Sequence, residues 1–152
     1  MQLAHYLGLL HRSLTNLDSA YRQVADVHGD EPDVRYSCQR LARQCAAQAD
    51  RLDPFARWYA EHAPDEPDRL HSELFRGTRT GGLGLLRDLQ DLYLMTSECD
   101  ICWTVLEQAA QGIRDRDLLA VVRSGAGETK IQLTWIRTRM KQAAPQALIV
   151  AD

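Results

Sequence analysis

The residues best suited to chemistry in this 152-residue chain are its four cysteines. Cys99 and Cys102 form a C-x-x-C, and Cys38 and Cys45 lie seven apart. On a helix, residues three apart hold their Cβ atoms about 5–6 Å from each other. That is too wide for a relaxed disulfide, at about 3.8 Å, but it suits two ligands on one metal. Cys38 and Cys45 would be separated by about 10.5 Å along a helix axis, so only one of them can join the pair. Cys45, Cys99 and Cys102, with Glu98 or Glu128 beside them, are therefore candidate ligands for a soft site holding copper(I) or zinc. A redox C-x-x-C belongs at a helix N-terminus, where the dipole lowers the thiol pKa, whereas this one falls mid-helix. The competing reading is packing, since unpaired cysteine behaves as a small buried hydrophobe. The sequence favours it, with no cofactor required.

A second candidate lies between Gly77 and Gly84, in the run GTRTGGLG. Backbone N–H groups at a helix start, with Arg76 and Arg79 nearby and Gly81 and Gly82 allowing close approach, can hold a phosphate or carboxylate. The run lacks the lysine of a phosphate loop and no strand precedes it, so a plain flexible connection is the simpler reading. Arg137, Arg139 and Lys141 surround Trp135 as a basic patch, best read as a solvated helix face. Three cations on a chain of net charge -3 make no nucleic-acid site. Tyr93, Trp58 and Tyr59 could line a pocket near Pro54, although aromatics at helical spacing usually face a core. No nucleophile–base–acid set occurs, and an enzyme is not the expectation.

These residues are carried by helices. Leucine and alanine, 21 and 18, outnumber valine and isoleucine, 7 and 5, which favours helix over sheet. In the first segment, about 2–28, Leu3, Leu7, Leu10, Leu14, Leu17, Tyr21 and Val24 alternate in steps of four and three, an apolar seam. Gly29 reads as its stop and Asp30 as the cap of the next segment. That segment, about 31–62, carries Val34, Cys38, Leu41, Cys45, Gln48, Leu52, Phe55 and Tyr59, with a kink expected near Asp50–Asp53 because Pro54 lies inside it. A third, about 83–112, runs inward along Leu85, Leu89, Leu92, Thr96, Cys99, Trp103, Leu106, Ala110 and Ile113. The fourth, about 115–144, is read with Leu118, Val121, Gly125, Glu128, Ile131 or Gln132, and Trp135 inward. Ser124, Gly125 and Gly127 mark a weak point within it, and Pro145 its end. Residues 63–82 form a long crossover with a helical turn at Arg69–Phe75, and 145–152 a tail with an apolar patch. The expectation is one all-α domain over 1–152, an antiparallel four-helix bundle of two helical hairpins joined by the crossover. No apolar run approaches the roughly 18 residues of a membrane span, and MQLAHYLGLLHRSL lacks a cationic leader, so neither membrane nor secretion is expected, and the expected compartment is the cytoplasm.

Two short-loop hairpins and one long crossover resemble the ferritin-like superfamily. LLHRSLTNL, the Cys45–Leu52 stretch, the helix around Leu85–Trp103 and the ending KQAAPQAL resemble small bacterial ferritin-like proteins of unassigned function. The resemblance implies, in catalytic members, an inward carboxylate on two helices and a Glu-x-x-His pair on the other two. This chain departs from that set. The first seam has no acid, and Cys45-Ala46-Ala47-Gln48 stands where an acid and a histidine are wanted. Glu98 flanks the third seam, and Ile131 follows Glu128 by three. Asp68 and His71 have the spacing but fall in the crossover. Diiron chemistry is not carried over, and Glu128, read as inward, needs a partner, most economically Gln48. The leading expectation is a non-catalytic binding or interaction protein, a homo-oligomer such as a dimer. The alternatives are a copper- or zinc-binding protein using the cysteines, or a small-molecule or anion binder using the glycine-rich crossover.

Overall fold

The computed structural model describes residues 2–62 and 75–150. They form α1 (Leu3–Val27), α2 (Pro32–Glu61), α3 (Gly81–Gly112) and α4 (Arg116–Pro145), closed by a π turn at Gln146–Val150. Among the described residues there is no strand. The molecule is an all-α four-helix bundle in which α1 pairs most extensively with α2, and α3 with α4. The Asp68–His71 spacing and the start of the turn expected at Arg69–Phe75 lie outside the described residues.

Side-chain pairs give the helix directions. His28, at the end of α1, meets Asp88 near the start of α3 at 2.8 Å. At the opposite end, Leu3 and Tyr6 share a groove with Ile113, and Tyr59 near the end of α2 reaches Asp115 before α4. Thus α1 runs antiparallel to α2 and α3, and α4 antiparallel to both of them. The chain leaves α2 at one end of the bundle and enters α3 at the other.

Burial follows the apolar seams of the first three helices except at Phe55, which is half-buried, and at Ile113, expected inward but exposed just past the end of α3. Leu3, Leu7, Leu10, Leu14, Leu17, Tyr21 and Val24 are all buried on α1. On α2 the buried seam is Val34, Cys38, Leu41, Cys45, Gln48, Leu52 and Tyr59, and on α3 it runs from Leu85 through Cys99 and Trp103 to Ala110. The fourth helix departs from expectation. Its buried residues are Leu118, Val122, Gly125, Thr129, Gln132, Ile136, Arg139 and Ala143. Glu128 and Trp135 flank this seam, and Ile131 is 64% exposed. Polar residues that find internal partners hold inward positions here, so an apolar pattern misplaces the face.

Gly125 explains the rotation. A Cβ at this position would lie 2.4 Å from Cζ2 of Trp103, well inside contact distance. The glycine is a notch for the buried indole rather than a weak point, and the indole N–H donates to Thr129 Oγ1 at 2.9 Å one turn further on.

Helix ends also correct the sequence reading. Glu31, not Asp30, occupies the N-cap of α2, with Pro32 in the first turn, and α2 continues through Pro54 to Glu61. Asp115 caps α4 by accepting from the Leu118 N–H at 3.0 Å. The last helix does not stop before Pro145 but includes it and passes directly into the π turn. There Ala147 is buried while Leu148, Ile149 and Val150 are exposed.

Two glycine substitutions on α4 should therefore act in opposite directions. Gly125→Ala should lower stability by about 1–3 kcal/mol through overpacking against Trp103. Gly127→Ala, whose Cβ meets nothing within 4 Å, should raise it by about 0.5–1 kcal/mol. Thermal and denaturant unfolding of the two variants checks both signs.

Candidate functional site

At mid-height the bundle core contains a layer of uncharged polar groups. The Tyr21 hydroxyl lies 2.9 Å from Thr96 Oγ1 and donates to Gln132 Oε1 at 3.2 Å. Gln132 Nε2 in turn donates to Gln44 Oε1 at 3.2 Å, and the Cys45 thiol sits 3.8 Å from the same Gln132 amide. One amide from α4 thereby ties together α1, α2 and, through Tyr21, α3. Gln48, one turn along from Cys45, is buried with neither Oε1 nor Nε2 hydrogen-bonded. Leaving such groups without partners costs about 1–3 kcal/mol each.

The candidate metal ligands occupy different environments. Cys45, Cys99 and Cys102 are buried free thiols, as is Cys38. Burial pushes the Cys38 and Cys45 thiols up to about 12 and that of Cys102 up to about 11. Cys99 also rises well above its ordinary value, first through burial and then through the neighbouring Cys45. All four are held as neutral thiols at physiological pH, so a metal would have to displace their protons. Glu98 is half-buried beside Cys99. Glu128 does not face the core: Arg51 Nη2 donates to its Oε1 at 2.8 Å across the half-exposed α2–α4 seam. Arg51, not Gln48, is its partner. Among the described residues, no group of three or more His, Cys, Asp or Glu side chains is placed to hold a metal ion.

The glycine-rich segment is organised by Asp88, a carboxylate sequence reasoning passed over. Asp88 is fully buried and accepts from His28 Nε2 at 2.8 Å, from the Arg79 backbone N–H at 2.9 Å and from Arg79 Nη1 at 3.0 Å. Arg79 also pairs with Asp91 at 2.9 Å. Its guanidinium is thus committed to two carboxylates of its own chain. Gly77 and Gly81 adopt positive φ values of 115° and 78°, a conformation that favours glycine. Arg76 is exposed. Gly81 and Gly82 border a cavity of about 410 Å³ whose other walls include Asp26, Asp30 and Glu31. An anion there would meet three carboxylates. The signal for Asp88 was an acid placed among the inward leucines of LLRDLQDL.

The aromatic pocket near Pro54 exists in part. Pro54, Phe55, Trp58 and Tyr59 enclose about 330 Å³ with Asp115 and Asp117. The Tyr59 hydroxyl is tied to Asp115 at 2.7 Å, and Tyr93 lies elsewhere, beneath the guanidinium of Arg137. Of the basic patch, Arg139 is turned inward against Asp33 and Glu31, at 2.7 and 3.1 Å.

Outside the core, α3 carries its own apolar row. Leu83, Leu94, Ile101 and Val105 are exposed along its outer face, and Ile113 at its end. Next to that row, an apolar groove of about 320 Å³ is bounded by Leu3 and Tyr6 of α1 and by Val105, Leu106 and Ala109 of α3.

With this geometry in hand, comparison with known proteins adds no relative: no family model, no curated protein and no solved structure matches the chain. No helix among the described residues is long and apolar enough to cross a membrane.

Removing Asp88 should be costly, because it strands a buried partner. Asp88→Ala is expected to lower stability by about 3 kcal/mol and to speed tryptic cleavage at Arg76 and Arg79, measured by denaturant unfolding and limited proteolysis. The buried thiols contribute to the alkaline limit, together with Tyr21 and Tyr59, whose hydroxyls burial also pushes up. The thiols' folded pKa values lie above the unfolded value, so the stability they contribute is complete below about pH 9. It is lost as pH rises toward about 12, because unfolding then releases protons. Unfolding midpoints should fall over this range, and less steeply in Cys45→Ala. At pH 8, all four thiols should react with a disulfide reagent only when the protein unfolds.

Proposed function

We propose that this protein is a non-catalytic bundle of ferritin-like plan that works by binding protein, in the first place a second copy of itself, through the outer face of α3. The observation that carries this reading is the row formed by Leu83, Leu94, Ile101 and Val105, with Ile101 63% exposed. A helix apolar on both its inner and outer faces is expected where both faces are covered. Leu94, Ile101 and Val105 form the row's continuous part, on the order of 300 Å² of apolar surface and comparable to the largest patch on an ordinary monomer, while the exposed Arg87 and Gln90 separate it from Leu83. The adjoining groove extends it toward the roughly 800 Å² per partner of a stable interface. On the α3 face itself, the exposed Arg87 between Leu83 and Leu94 and the half-buried Glu98 beside Ile101 carry opposite charges, so a second copy laid antiparallel along the row would bring unlike charges together.

The absence of catalysis is inferred from the mid-height layer. At the level where a ferritin-like enzyme would present carboxylates and histidines, α2 offers Cys45 and Gln48 and α4 offers Thr129 and Gln132. Each is an i, i+3 pair of buried uncharged groups. Neutral amides and hydroxyls make poor ligands for iron compared with a carboxylate–histidine set. The cysteine reading would need deprotonation of buried thiols, and the anion reading would need Arg79 released from Asp88 and Asp91.

Sedimentation velocity across a concentration series tests the proposal. The wild-type chain should show a reversible monomer–dimer equilibrium. Ile101→Asp should raise its Kd at least tenfold while leaving thermal stability within about 0.5 kcal/mol, as for other surface substitutions. A wild-type chain that stays monomeric at hundreds of micromolar would sink it.

A further inference from the structure

The most anomalous group in the molecule is Gln48. The residue is only 1% exposed, and both amide atoms lack a hydrogen-bond partner. Protein interiors rarely tolerate this, and the ordinary resolution is a buried water.

The surroundings suit one. Cys45 on α2 faces Gln132 on α4. Three residues further along α2 comes Gln48, and three residues back along the antiparallel α4 comes Thr129, so the register set by Cys45 and Gln132 places these two buried residues at one level of the core. Thr129 Oγ1 already accepts from the Trp103 indole at 2.9 Å, which leaves its own proton to donate. Gln48 therefore supplies one acceptor and one donor, and Thr129 a further donor, within the two to four polar partners an internal water needs. The site also has a polar way in. It lies behind the α2–α4 seam, between the Gln44–Gln132 bond on one side and the Arg51–Glu128 pair on the other. This seam is packed more sparsely than the contacts within either hairpin.

We propose that Gln48 and Thr129 form an internal binding site for one or two water molecules, entered between α2 and α4. The inference does not depend on self-association through α3.

Two measurements decide it. In NMR of the wild-type chain, the Gln48 side-chain amide protons should show direct cross-relaxation to water. Cross-peaks confined to protein protons would overturn the proposal, as would a crystal structure in which the Gln48 amide bonds directly to another side chain. Thermal unfolding of Gln48→Met gives the second test. If the amide holds water, replacing it forfeits those bonds and the Tm stays level or falls. If the site is dry, the substitution removes two unpaired polar groups and the Tm rises, by about 4 °C or more for a chain of this size. Any rise counts against the site. Should Gln48→Met fail to fold, the NMR result on the wild-type chain alone decides.

Discussion

The seating of Trp103 against Gly125 governs how the two hairpins read one another. The indole is fully buried, fills the space a Cβ would need, and donates to Thr129. Together these contacts set the rotation of α4 about its own axis. From that rotation, Gln132 turns inward to meet Tyr21, Cys45 and Gln44, and Arg139 reaches Asp33 and Glu31. Glu128, one residue from Thr129, is carried out of the core to Arg51. A rotation by one residue, about 100°, would bury a carboxylate and expose an amide that now joins three helices.

The two seams between the hairpins have different chemistry. Along α1 and α3, the apolar seams meet around two buried polar contacts, His28–Asp88 at one end and Tyr21–Thr96 at mid-height. Along α2 and α4, the hairpins meet through a ladder of polar contacts. Arg139 bonds Asp33, Gln132 bonds Gln44, Arg51 bonds Glu128 and Tyr59 bonds Asp115. Apolar burial drives association in proportion to area and is indifferent to register. Hydrogen bonds are directional and fail when displaced, so this ladder selects one alignment from those the leucine seams would permit. The uncharged mid-height layer is the inner rung of the same system, which is why it holds helices in place without offering a charged ligand set.

Asp88 plays the corresponding part at the end of the bundle. A carboxylate with no exposed surface requires several donors, and it takes them from the α1–α2 turn through His28 and from the glycine-rich segment through Arg79. The glycines at 77 and 81 supply the backbone conformations that bring that segment into range. Residues that look from their composition like an anion cradle are thus accounted for by the closure of the fold.

The sequence by itself determined the helices and the inward faces of three of them. Regular steps of four and three in leucines suffice when nothing polar competes for the inside, as on α1. The long separation between the second and third segments likewise sufficed for the two-hairpin plan. Only the tertiary structure decided the face of α4, the outward place of Glu128 and the commitment of Arg79 to Asp88 and Asp91. The cause in each case is a partner on another element: Trp103 of α3 for Gly125, Arg51 of α2 for Glu128, and for Arg79 the carboxylates of α3, Asp88 being fixed in turn by His28 at the end of α1. Apolar periodicity reports how a residue meets water. Whether a polar residue belongs inside depends on which group stands opposite it, and that is settled when the hairpins dock.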